Sequence, residues 1–470
     1  MSVYTRVIQR VAVTSRLTFL CLAFLADVVL PDHKSDGFVA PDLDQIRHES
    51  FLDRSIWFLF GGLFRWDAQH FLQIAAAGYG FHTSFAFFPL FPLAVRSLGI
   101  VLRFVLGLNV LNSLLLASVA LNSFLFVKTT ELLYKLSLLV LKHELFAFHS
   151  AIFFCLSPAT TFFIAPYSES LFAFCSFKGM LCYAQGRMTA CTFWFTLSTF
   201  ARSNGIVNAG FPLHFLWFCI FKLVEQYDGR GMDFCFRLLK RVASGLLSCV
   251  AIVGPFFLFQ LYSYYLLCMR KVMPHSEAMT QYSYAHDIPL VGTEGKITCN
   301  ESFAMPYFQL QETYWDVGFL KYYRYKQIPN FLLAAPLVFI VYYYGLRFLA
   351  LHRNTIVYPA RLYATTGPPM SVGLPPKALV YIVHALYLTT TCVLFINVQV
   401  TTRMIASSSP VIYWIASSQF MTKENSLVAF RTSSFRSTDE IKPSGVIIST
   451  YFMTYAILGV ILFSNNLPWT

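Results

Sequence analysis

The sequence predicts an all-α integral membrane protein with about ten transmembrane helices joined by loops on both sides of a bilayer. The first observation behind this is composition: of 470 residues 56% are hydrophobic and 12% charged, with a mean hydropathy of +0.57. Soluble domains carry roughly twice that share of charge. The second is ten long apolar runs, near 13–31, 86–106, 108–128, 147–165, 168–184, 189–220, 244–268, 329–350, 377–397 and 446–464, where a helical crossing takes about 20 residues. The third is charge placement. The net charge of +12 comes from Lys and Arg scattered through loops and helix ends, as expected of basic cytosolic loops. There is no massed basic stripe, so a nucleic-acid partner is not expected.

The elements follow in order. Arg6, Arg10 and Arg16 precede "LTFLCLAFLADVVL" with no small-residue cleavage site after it. A retained first helix with a cytosolic N-terminus is expected. Pro31–Arg54 holds six acidic and three basic residues, and the first lumenal loop is drawn over 32–85. Lys222–Arg241 has five basic and three acidic residues, and Arg347–Lys377 has basic residues and no acids, so both read as cytosolic. Between them the large loop 270–328 reads as lumenal and carries the sequon "NES" at Asn300, a candidate glycosylation site. "TTGPPMSVGLPP" links the last helices to the rest. No internal repeat is visible, so residues 1–470 form one multi-spanning domain.

Parity is the difficulty. Counting every run as a crossing puts "PYSES" (166–170) on the cytosolic side, yet 128–145, with Lys128, Lys135 and Lys142, also reads as cytosolic. One re-entrant or interfacial run between 86 and 166 would reconcile the two. The eleven cysteines lie mostly in apolar runs without CxxC or metal-type spacing. They read as small core residues rather than a disulfide framework or zinc site.

Four polar clusters stand at the edges of the apolar runs, where a charge placed mid-bilayer costs about 2.5–3.5 kcal/mol on insertion scales. In "RWDAQHF" (65–71), Asp67 and His70 are three apart and share a face of a helix. Asp67 reads equally as a helix cap or as chemistry, and Trp66 as an interfacial anchor. In "SPATTFFIAPYSES" (157–170), Glu169 sits in what is otherwise a polar turn. In "ARSNGIVNAGF" (201–211), Arg202, Asn204 and Asn208 interrupt apolar residues, and Arg202 is either a snorkelling side chain or a phosphate ligand. The fourth cluster joins "YWDVGFLKYYRYKQIPNFLLAAP" (314–336) to "VQVTTRMIASSSPVIYW" (398–414), with Gln399 and Arg403 after a full-length apolar helix. No Walker loop, GxGxxG, HExxH or GxSxG is present.

Taken in order, "WDAQHF", "FAFFPLFP", "SPAT", "YSESLFA", "RSNGIVNAGF", "YWDVGFL", "QIPNFLLAAP", "VQVTTR" and a terminal "PWT" resemble the GPI mannosyltransferase II family over nearly the whole chain. The resemblance implies a GT-C-like glycosyltransferase of the endoplasmic reticulum membrane. It would transfer mannose in α-1,6 linkage from dolichyl-phosphate-mannose to the first mannose of a glycosylphosphatidylinositol (GPI) precursor in the lumen. It further implies Asp67 as general base with His70 in the catalytic pair. Arg65, Trp66, Glu169, Arg202, Asn204, Gln399 and Arg403 are implied on the substrates. Neither metal nor cofactor is implied, because a phosphodiester donor needs no diphosphate clamp. The partners implied are the two lipid substrates and the membrane, with a small membrane helper subunit as an optional addition. Two positions depart from the family pattern: Phe81-His82-Thr83 stand where an acidic residue is expected, and Asp316 where Asn is expected. The alternatives are a polytopic lipid or solute transporter, disfavoured by the lack of repeats, and a non-catalytic subunit of a glycosylation complex.

Overall fold

A computed structural model describes residues 3–34, 37–44, 50–226, 231–270, 273–293, 295, 297, 299, 305–353, 374–420 and 442–469. The described residues are helical, without a strand, and the one extended pairing is an isolated bridge between Phe81 and Leu290. We number the helices α1 Val3–Val29, α2 Phe51–Phe60, α3 Asp67–Ala77, α4 Leu90–Leu106, α5 Val110–Leu141, α6 Glu144–Cys155, α7 Glu169–Ala184, α8 Met188–Ala201, α9 Gly210–Gln226 and α10 Met232–Tyr264. They continue with α11 Glu277–His286, α12 Pro306–Trp315, α13 Ile328–Leu351, α14 Leu379–Phe395, α15 Thr401–Ser408, α16 Val411–Phe420 and α17 Pro443–Ser464. Among the described residues, seven helical stretches are long and apolar enough to cross a membrane: Val3–Val29, Val110–Leu141, Ser203–Val224, Met232–Met269, Tyr325–Leu351, Pro376–Phe395 and Pro443–Ser464. The shorter α6, α7 and α8 pack among them, so the expected count of ten is approximate.

The 32-residue α5 is the ruler of the bundle. At its start, Asp53 of α2 accepts from the Asn109 backbone N–H at 3.1 Å and from Asn112 Nδ2 at 3.0 Å. Midway, Asn122 Nδ2 donates to the carbonyls of Ala165 and Tyr167, at 2.6 and 3.0 Å. Near its far end, Tyr134 donates to Glu144 at 3.1 Å. One end therefore lies with the 31–66 stretch and the other with the α5–α6 turn.

Contacts bear on the parity of 86–166. α4 starts after Phe87 and Phe88, which line one cavity with Asp67, packs along the first part of α5 with Gly99 against Leu114, and ends at Gly107. Its Ile100, Val101, Phe104 and Val105 are exposed. Tyr167 Oη accepts from the Asp67 backbone N–H, so "PYSES" joins "RWDAQHF" on one face. The turns at Lys142 and Arg187 fall on the other, and Lys377 lies within electrostatic reach of Lys142. We call these the site face and the basic face.

One expectation is corrected here. Cys268 and Cys299 form a disulfide, with Cα atoms 5.6 Å apart, and the other nine cysteines are free. Unlike those buried in apolar helices, Cys299 belongs to a polar loop and Cys268 closes the α10 span, so burial does not isolate them from each other. A persistent disulfide fits an oxidising compartment on the site face. Asn300, the next residue, lies outside the described residues.

Glu277 opens α11 on the site face, where Ser276 donates to Asp42, which also accepts from Gln73 of α3. In sealed vesicles carrying single-cysteine variants, an impermeant maleimide added to one side should label Arg187→Cys or Glu277→Cys, never both. Labelling of both from one side contradicts the two-face arrangement.

Candidate active site

The four polar clusters converge on the site face. "RWDAQHF" turns sharply because Trp66 adopts φ 54°, in the left-handed region, a conformation that costs a bulky residue about 1–3 kcal/mol and is held only where neighbours enforce it. The enforcement is visible on both sides. Arg65 pairs with Asp27 at 3.1 Å and Asp32 at 2.8 Å, while the Asp67 N–H donates to Tyr167 Oη at 3.0 Å. Asp67 is the first residue of α3, but its side chain does not cap the helix. Instead Oδ2 accepts from Arg403 Nη1 at 2.8 Å, and Oδ1 takes no hydrogen bond among the described residues.

Arg403 comes from α15, the short helix that "VQVTTR" enters through a 3₁₀ turn at Val398–Val400. Its guanidinium lies over the rings of Phe162 and Tyr167, 5.2 and 5.7 Å from their centroids. Behind it Glu169 opens α7, fully buried, with Oε1 4.0 Å from Arg403 Nε. The same Oε1 is 2.5 Å from Arg202 Nη1, which also donates to Ser168 Oγ at 3.2 Å. Asp67, Arg403, Glu169 and Arg202 thus alternate in sign along one chain of contacts.

Arg202 sits where α8 breaks into the 3₁₀ segment Ser203–Ala209. Gly205 permits the break: a Cβ there would stand 2.5 Å from the Thr199 backbone nitrogen. Buried Asn208 ties the segment down through Ser176 and Ser198, and Asn204 donates to Ser408 at the end of α15. Polar backbone at such breaks is tolerated where it is packed in protein or lines a cavity.

A cavity of about 510 Å³ opens over these groups, and Asp67, Arg202, Asn204 and Arg403 line it together. Phe88, Phe256, Phe308, Trp315 and Phe395 form much of the remaining wall, while Ser203, Gln311, Glu312 and Asn397 add polar atoms. Charge at one end and aromatic surface elsewhere suit a ligand with an ionic head and an apolar body.

The other expected residues lie elsewhere. Arg65 is committed to Asp27 and Asp32 and is outside the cavity lining. Trp66 packs partly buried against the core. His70, a turn after Asp67, is stacked between Phe38 and Phe87 at 4.0 and 4.6 Å, so it supports the wall from behind. Glu169 is behind the arginines, and Gln399 accepts from Tyr322 Oη at 3.1 Å. Among the residues that sequence reasoning passed over, Tyr167 is the most telling, since it links the Asp67 backbone to the arginine stack. A tyrosine directly after Pro166, in the turn that leads into α7, was its one available signal.

The two departures have local reasons. Asp316 is the left-handed C-cap of α12, φ 56°, a conformation open to Asp as to Asn, and its carboxylate pairs with Arg324 at 2.5 Å. His82 is buried beside Gly295, with its backbone N–H on the Pro289 carbonyl at 3.0 Å.

With this geometry in view, comparisons with known proteins are decisive. A family model described as Mannosyltransferase (PIG-V) matches residues 5–470. The chain belongs to that family. It is 36% identical to the GPI alpha-1,6-mannosyltransferase 2 of Cricetulus griseus and 34% identical to that of Homo sapiens, covering 98% of each chain in both pairs. It is also 34% identical to the GPI mannosyltransferase 2 of Drosophila pseudoobscura pseudoobscura, over 98% of this chain and 99% of that one. A solved archaeal oligosaccharyltransferase from Archaeoglobus fulgidus superposes on 97% of this chain and 56% of its own, at 9% identity and a TM-score of 0.43. The chain is therefore a multi-pass membrane glycosyltransferase of the PIG-V family.

Outside the spanning helices, burial lowers the pKa of His70 and of His82 from 6.5 to about 4 each, opposed by Asp67 for His70. Both are neutral when folded at pH 7, and between about 6.5 and 4 the unfolded chain binds more protons, so stability falls as pH falls through that window. His70→Phe keeps the stack and removes one titration. Its melting temperature in detergent should decline less steeply from pH 6.5 to 4 than the wild type's. An identical slope contradicts the assignment.

Proposed function

We propose that the chain transfers mannose from dolichyl-phosphate-mannose to the first mannose of a GPI precursor, forming an α-1,6 linkage in the lumen of the endoplasmic reticulum. The observation that carries this reading is the placement of Asp67 beside two arginines, Arg202 and Arg403, in the wall of one cavity on the site face, whose other carboxylate, Glu312, is paired with Lys321. The relatives' names supply GPI as the acceptor class, mannose as the transferred sugar and the α-1,6 linkage. The basic turns at Lys142, Arg187 and Lys377 make the opposite face cytosolic by the positive-inside rule, which leaves the cavity lumenal.

The chemistry follows from the donor. The acceptor's 6-hydroxyl oxygen attacks the anomeric carbon of the donor mannose, and the bond from that carbon to the phosphate oxygen breaks. The β-linked sugar thereby becomes α-linked, and dolichyl phosphate leaves. Asp67 takes the hydroxyl proton through Oδ1, the oxygen that Arg403 does not hold. Arg202 and Arg403 receive the charge that develops on the departing phosphate. Asn204 is placed to bind a sugar hydroxyl or phosphate oxygen, and the aromatic wall takes the first isoprene units and the sugar faces. His70 and Trp66 fix the turn that aims Asp67, with Arg65 as its anchor. Gln399 steadies the entry to α15 through Tyr322.

Two outcomes test this reading. In cells lacking their own enzyme, the wild-type chain should clear a one-mannose GPI intermediate and restore surface GPI proteins. Asp67→Asn, expressed equally, should lose about 10²–10⁴-fold in turnover; full rescue by Asp67→Asn refutes Asp67 as base. Because the two arginines supply the positive charge a phosphodiester donor requires, activity in detergent should survive EDTA. Loss on chelation, restored by magnesium or manganese, would make Asp67 a metal-ligand candidate instead.

A further inference from the structure

Glu169 is the group in the site that this mechanism does not use. It is fully buried and absent from the cavity lining, so it cannot touch either substrate. Its Oε1 nevertheless meets both cavity arginines, Arg202 at 2.5 Å and Arg403 at 4.0 Å. Neither oxygen meets hydrogen-bond geometry, so the contacts are ion pairs, and a buried carboxylate in this state is costly unless nearby cations hold it.

Building on the proposed reaction, we propose that Glu169 is a positioning residue for the donor: it fixes the two guanidinium groups as one seat for the donor's phosphate.

Three features support this. First, Arg202 and Arg403 arrive from different elements, the break after α8 and the start of α15, and Glu169 is the group that contacts both. Like charges side by side repel in a low-dielectric wall, and the shared carboxylate holds them together. Second, Arg403 also holds the base. With Nη1 on Asp67 and Nε toward Glu169, it is restrained on two sides, so an incoming phosphate meets a guanidinium already aimed. An Arg403 free of Glu169 would settle on Asp67 alone, and donor phosphate would have to compete for it. Third, the ion-pair partners of Glu169 are the two arginines assigned to the donor phosphate, so its loss bears on the donor rather than on the acceptor.

A residue that merely neutralised charge would be replaceable by any carboxylate at that position. Glu169→Asp keeps the charge and withdraws it by one carbon–carbon bond, about 1.5 Å. Glu169→Gln removes it. With purified full-length protein, a short-chain polyprenyl-phosphate-mannose donor and a one-mannose GPI acceptor, each substrate is varied in turn. Glu169→Gln should raise the donor KM by at least about tenfold, with the acceptor KM within about twofold. Glu169→Asp should melt near the wild type and still show a raised donor KM. If Glu169→Gln does not accumulate, Glu169→Asp carries the test alone. An unchanged donor KM in Glu169→Asp, or equal rises in both KM values, overturns the inference. A wild-type protein that transfers no mannose from the polyprenyl-phosphate donor overturns the proposed function itself, a result distinguishable from either.

Discussion

The site depends on a run of alternating charge, Asp67–Arg403–Glu169–Arg202, assembled from four separate segments at the edge of an apolar bundle. No member is tolerable alone: an unpaired ion so placed pays several kcal/mol in lost hydration. Together two cations and two anions cancel, and the shared contacts define where α3, α7, α15 and the end of α8 meet. Removing one member leaves its neighbour uncompensated, so position and charge are coupled. The same run grades exposure. Glu169 is sealed, the arginines are mostly covered, and Asp67 is the most open of the four, with 27% of its side chain accessible. A buried anchor, two aimed cations and an accessible base follow from that gradient.

The surrounding architecture serves this meeting point by breaking helices there. The chain turns irregular at Leu156–Ser168, at Arg202–Ala209 and at Ile396–Val400, and each break must satisfy its own backbone. Asn122 takes the Ala165 and Tyr167 carbonyls. Arg16, fully buried in α1, donates to the Cys155 carbonyl at 3.1 Å and lies 3.7 Å over Phe126. A guanidinium deep in the bundle thus serves the end of a helix that stops short. The C-terminal "PWT" belongs to the same scheme: Trp469 packs against Tyr455, and a side chain at Gly459 would strike its indole.

Much of this was legible in the sequence. Polar residues in so apolar a chain are expensive, so the four clusters marked themselves, and their order carried the family. Class and helix content followed from composition and run length. What stayed hidden required three dimensions. Spacing put Asp67 and His70 on one helical face, but it could not reveal that Phe38 and Phe87 close over the imidazole. Arg65 and Arg403 look equally suited to phosphate, and the acidic neighbours of Arg65 come from a distant end of α1. Cys268 and Cys299, 31 residues apart, meet because a loop returns over the α10 end.

The central claim is that one cavity joins a phosphate-linked mannose to the one-mannose acceptor, with inversion, with Asp67 as the base. The most direct measurement is the structure of the product made by the purified chain from β-linked dolichyl-phosphate-mannose carrying ¹³C-labelled sugar. The account predicts one labelled mannose, α-anomeric by its carbon–proton coupling and attached at the 6-position of the acceptor mannose. A β-linked product, attachment at another hydroxyl, or transfer to a lipid bearing no mannose would contradict it.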